Sequence, residues 1–96
     1  MTADQFRLCG KVDERWPKAL QALWWDAQRD WEQAHEAAQA GNDTSYAWVH
    51  AYLHRKQGDD GNAGYWYRRA GKPVFIGASD AEWRQMVEEL LRSLKS

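Results

Sequence analysis

From residue 20 to residue 71 the apolar side chains recur three and four positions apart, the spacing that lines one face of an α-helix. Leu20, Leu23, Trp24 and Ala27 make a first stripe, and Trp31, Ala34, His35 and Ala38 a second. Tyr46, Val49 and Leu53 make a third, which Trp48 and Tyr52 widen into an arc that needs cover on a broad face. Ala63, Trp66, Tyr67 and Ala70 complete a fourth, with small residues that permit close helix contact. The polar positions punctuate these stripes as helix ends. Asp30 can cap the second helix, Thr44 or Ser45 the third, and Asp59 or Asp60 the fourth. Gly41-Asn42, Gly58 and Gly71 before Lys72-Pro73 supply the stops.

The stripes pair by register. Shifting the chain by 29 positions lays Ala51 on Ala22, Gln57 on Gln28, Asp59 on Asp30 and Ala63 on Ala34. A repeat of helix, tight turn and helix at such a period is the signature of stacked helical hairpins. Arg29 stands where the second copy has Gly58 and where a turn of this kind favours glycine.

The last segment carries a fifth helix. Ser79 with Glu82 reads as a capping box, and Trp83, Met86, Val87, Leu90, Leu91 and Leu94 hold one face over four turns, so Leu90 and Leu91 are expected to be buried. Two hairpins are fewer than a solenoid usually needs, and this helix is expected to close the open end of the stack. Residues 73–78 read as an extended connection with Phe75 and Ile76 turned inward. The expected architecture is one all-α domain over residues 1–96, two tetratricopeptide-like hairpins plus a C-terminal capping helix, with residues 1–15 a partly disordered arm.

The string GDDGNAGYWYRRAG resembles the second helix of tetratricopeptide and Sel1-like repeats. The longer strings LWWDAQRDWEQAH and AWVHAYLHRKQGDDGNAGYWYRRAG resemble an uncharacterised family of small bacterial proteins with relatives in fungi, over about residues 20–73. That resemblance implies a helical fold and carries over no functional residue.

Composition narrows the function. The net charge of -1 lacks the basic footprint that phosphate-backbone binding needs, so nucleic acid is not expected as a partner. Charge is nevertheless uneven: residues 26–43 hold five acids and one base, and residues 55–72 five bases and two acids, an asymmetry that can orient a partner or a second copy in a homodimer. A mean hydropathy of -0.86, no membrane-length apolar run, no signal-like N-terminus and the single cysteine, Cys9, suggest a cytoplasmic protein.

His50 and His54 carry the sharpest chemistry, because a separation of four sets two imidazoles on one helix face at a metal-binding spacing. The intervening HAYLH lacks the glutamate of the metalloprotease pattern, and packed histidines explain the pair more simply. Whether His35 approaches them depends on how the hairpins stack. No nucleophile elbow, phosphate loop or zinc knuckle is present, so no catalytic residue, cofactor or metal is expected. The leading expectation is a protein-interaction module without enzyme activity. Its groove, bordered by His50, His54, Tyr65, Arg68 and Arg69, would take a protein or an acidic peptide. The alternative is a small-ligand- or metal-binding protein, conceivably an enzyme, centred on His50 and His54.

Overall fold

The fold is a set of helices whose connections include aspartate caps, left-handed corners and one extended link. A computed structural model describes residues 1–94, and among these there is no strand. The elements are α1 (Ala3–Arg7), α2 (Lys18–Ala27), α3 (Trp31–Ala38), α4 (Thr44–Lys56), α5 (Asp60–Ala70) and α6 (Ser79–Ser93). The four expected stripes become α2 to α5, and the architecture is all-α. No described helix is long and apolar enough to cross a membrane.

The 29-residue register is visible at the two corners. Arg29 and Gly58 both take left-handed backbone, at φ 64° and 82°. Each corner closes with the same bond, Asp30 N–H to the Trp25 carbonyl (3.0 Å) and Asp59 N–H to the His54 carbonyl (2.9 Å). Each aspartate then caps the next helix, Asp30 accepting from Gln33 N–H and Asp59 from Asn62 N–H. Ala34 and Ala63, equivalent in this register, are both buried. The cap of α4 is neither Thr44 nor Ser45 but Asp43, which accepts from the Ser45 and Tyr46 amides.

Helix α4 lies at the centre. It forms a hairpin with α5 and also packs on α2, α3 and α6, while α2 pairs with α3. Seven consecutive α4 residues, Ala47 to Leu53, are buried, so this helix is covered on every side. Helix α6 rests on α2 and α4, the first helix of each hairpin, and on α1. It closes the stack along its side. Trp83 anchors it, fully buried, with its indole N–H donating to the Leu23 carbonyl at 2.9 Å.

Several local expectations differ. The stretch expected as an arm holds α1, capped by a reciprocal Thr2–Gln5 box and pinned by Phe6, which is fully buried between Trp16 and Trp83. Leu90 and Leu91 are only half-buried and Leu94 is exposed. Both leucines still pack against the core, from its edge. In the extended link Phe75 lies under the Arg55 guanidinium, and Ile76, on the opposite side of the chain, is 94% exposed.

The capping box at Ser79 is absent. The N-cap of α6 is Ala78, with no side-chain bond, and Glu82 turns inward to complete burial. Its Oε2 accepts from Trp48 Nε1 (3.1 Å) and the Tyr67 hydroxyl (2.5 Å), and its Oε1 from Arg55 Nε (3.1 Å), joining α4, α5 and α6. Arg55 also donates through Nη1 to the Gly77 carbonyl. A second buried acid, Asp26 on α2, accepts from the Tyr52 hydroxyl (2.6 Å) and Lys56 Nζ (2.9 Å), both on α4. Burial first, then these carboxylates, pushes both phenols far above the ordinary tyrosine range, so each remains a donor.

A buried carboxylate that holds three donors leaves all of them unpaired when it is removed. Glu82→Ala is therefore expected to destabilise the protein by about 3 to 5 kcal/mol, read from urea denaturation followed by tryptophan fluorescence. A loss below about 1 kcal/mol, the range of an exposed ion pair, would contradict the network.

Candidate metal centre

Three histidines meet where the first hairpin packs on the second. His35 comes from the last turn of α3, and His50 and His54 lie one turn apart on α4. One ring nitrogen from each lies within 4.8 Å of the other two. The His50 and His54 rings are nearly parallel, centroids 6.2 Å apart, and the His35 ring stands edge-on to both, at 5.6 and 6.1 Å.

Aromatic side chains fix the rings. Trp66 of α5 stacks on His50 at 4.3 Å and 14°, and Trp31 stacks on His35 at 5.7 Å and 21°. Tyr65 stands edge-on to Trp66, and the Arg69 guanidinium sits 5.1 Å from the same indole. Arg69 also donates weakly to the Tyr65 hydroxyl at 3.4 Å. Of the five residues expected to border a groove, His50 is buried at 6% exposure, His54 is half-buried, and Tyr65, Arg68 and Arg69 are exposed. The first two face His35 instead of an open surface.

The hydrogen bonds leave specific atoms free. His50 Nδ1 is buried with no hydrogen-bond partner. His54 Nδ1 is in the same position: the Asp59 carboxylate is 3.8 Å away, beyond hydrogen-bond reach. Asp59 itself is engaged by the Asn62 amide and, at 2.6 Å, by the Asn62 side chain, and these bonds hold its carboxyl below the ordinary range. His35 Nδ1 lies 3.3 Å from Gln39 Nε2. Arg55 Nη2 also lacks an aligned hydrogen bond, but it is 3.1 Å from Glu82 Oε1 and so faces its counter-charge.

Burial lowers the His50 pKa to about 4, with His35, His54 and Arg69 adding to the effect and the nearby Ala38 backbone opposing it. Its ring is neutral at pH 7 and its lone pair available. A neutral imidazole with an available lone pair is what a metal ion requires of a histidine ligand.

Helical spacing in the chain marks the His50–His54 pair, whereas the arrival of His35 depends on the crossing of α3 over α4. The Trp31–His35 pair at i, i+4 was the local signal that could have drawn attention to it. Comparison with known protein families, curated proteins and solved structures finds no match to this chain.

The depressed His50 pKa makes the metal-free protein acid-sensitive. The unfolded imidazole, with a pKa near 6.5, takes up its proton first, so the contribution is fully present above about pH 6.5 and is lost as the pH falls toward 4, by up to about 3 kcal/mol. His50→Phe, which can keep the stack on Trp66, is expected to flatten this loss in denaturation curves at pH 7 and 4.5. Parallel losses in the two proteins would contradict it.

Proposed function

We propose that the protein binds a divalent transition-metal ion through His35, His50 and His54. The observation that carries this reading is the convergence of the three imidazoles, one ring nitrogen of each within 4.8 Å of the other two, alongside the buried, unpartnered Nδ1 atoms of His50 and His54. A buried ring nitrogen without a partner is costly, and a metal ion satisfies it as a ligand acceptor. Neighbouring ligands of a tetrahedral zinc lie about 3.4 Å apart, so the ion would draw the rings together through small side-chain rotations. An all-imidazole donor set suits zinc, copper or nickel and disfavours calcium and magnesium, which require oxygen. Three histidines leave a fourth position for water, with the Asp59 carboxylate beside His54 able to orient it.

The interaction-module reading rests on Tyr65, Arg68 and Arg69, which remain exposed on α5 and could hold an acidic peptide. Burial removes His50 from such a surface.

A zinc titration against a chromophoric chelator tests the metal reading. One equivalent is expected to bind, with a change in the fluorescence of the flanking Trp31 and Trp66. Each of His35→Ala, His50→Ala and His54→Ala is expected to weaken binding by more than the 10- to 100-fold, roughly, that follows loss of an outer-shell partner. Absence of saturable binding, or affinity unchanged in the three variants, would overturn it.

A further inference from the structure

The first hairpin turns on a residue that the second replaces with glycine. Arg29 holds φ 64°, a left-handed conformation that a Cβ disfavours, whereas Gly58 meets φ 82° without that cost. Space does not explain the difference, since a Cβ on Gly58 would meet nothing within 4 Å. The strain at Arg29 has one visible consequence: it sets a guanidinium at the rim of a cavity. Among the described residues that guanidinium forms no ion pair and no hydrogen bond.

The cavity has a volume of about 390 Å³ and lies where α1, α2, α4 and α6 meet. This is within the size range of small-molecule sites. Its cations are Arg7, Arg29 and Lys56, and its acids Asp26 and Asp80. Both acids are already engaged, Asp26 by Lys56 and Tyr52, and Asp80 by Arg7 at 2.7 Å and Arg84 at 3.1 Å. One positive charge is therefore left over, and it is that of Arg29. The Trp83 indole, under the Arg7 guanidinium at 4.3 Å, provides an apolar wall. A second cavity of about 320 Å³ shares Asp26, Arg29 and Lys56, so the Arg29 head stands between two recesses.

We propose that this cavity binds a small oxyanion, the carboxylate or phosphate group of a metabolite-sized ligand, with Arg29 as its principal partner and Lys56 and Arg7 as flanking cations. The planar fork of a guanidinium matches either group with two parallel bonds. This site is separate from the three histidines and stands or falls without them.

The geometry supplies an unusually clean variant. Arg29→Gly removes the guanidinium while relieving the left-handed strain, so it is expected to raise the denaturation midpoint and still lose binding. The probes are inorganic phosphate and acetate, each titrated into metal-free protein and followed by amide chemical shifts. Saturable shifts are expected at Ala27, Arg29, Lys56 and Ser79 with at least one probe, and the stronger of the two identifies the preferred head group. Arg29→Gly is expected to weaken that binding about 10- to 100-fold, the worth of one charge-assisted pair. Lys11→Gly, an equal charge change at an exposed position that does not line this cavity, should leave it unchanged. Shifts that fail to saturate with both probes, or affinity equal in Arg29→Gly and the wild type, would overturn the proposal.

Discussion

Burying α4 on all sides is the constraint on which the rest of the structure depends. A helix covered all round is normally apolar all round, yet this one carries Trp48, His50, Tyr52 and His54 among its inward positions, with Arg55 and Lys56 at its end. Each polar tip taken out of water needs a partner. Glu82 of α6 meets Trp48 and Arg55, and Asp26 of α2 meets Tyr52 and Lys56. Helices α6 and α2 thus supply one buried acid each, and those acids set where the two helices must lie. The side facing α3 supplies His35 and no carboxylate. The Nδ1 atoms of His50 and His54 lack a hydrogen-bond partner, as Arg55 Nη2 does, but Arg55 Nη2 has the Glu82 carboxylate 3.1 Å away.

The legible parts of the fold are those that local chemistry decides. Helix stripes, aspartate caps and left-handed corners depend on residues a few positions apart, and Asp30, Asp59, Gly58 and Gly71 perform the roles their types suggest. Apart from the α4 cap, which falls on Asp43, and the Thr2–Gln5 box of α1, the differences have the opposite property. Glu82 satisfies a capping-box spacing, but three buried donors from α4 and α5 compete for the same carboxylate and win. Leu90 and Leu91 continue a valid stripe but meet the core only at its edge. Ile76 is apolar, but its neighbour Phe75 takes the inward position in an extended segment. The site follows the same division: the His50–His54 spacing is local, whereas His35 and the Asp26 and Glu82 networks arise from contacts between helices.

A metal at the three histidines would do more than fill a polar vacancy, because His35 belongs to the first hairpin and His50 and His54 to the second. An ion there joins the two units at the α3–α4 junction, opposite the buried acids that hold α4 to α2 and α6. Binding to the folded state alone adds stability in proportion to the logarithm of free metal over its dissociation constant. In a 96-residue chain with a modest core, such a clamp would matter as much as a large apolar contact.

Anomalous diffraction at the zinc edge from crystals of the zinc-loaded protein tests the central claim most directly. The expected result is a single strong peak about 2.0 to 2.1 Å from one ring nitrogen each of His35, His50 and His54, with a water or Asp59 in the remaining position. Zinc found only at surface carboxylates, with the three imidazoles still apart and His35 still paired to Gln39, would contradict it.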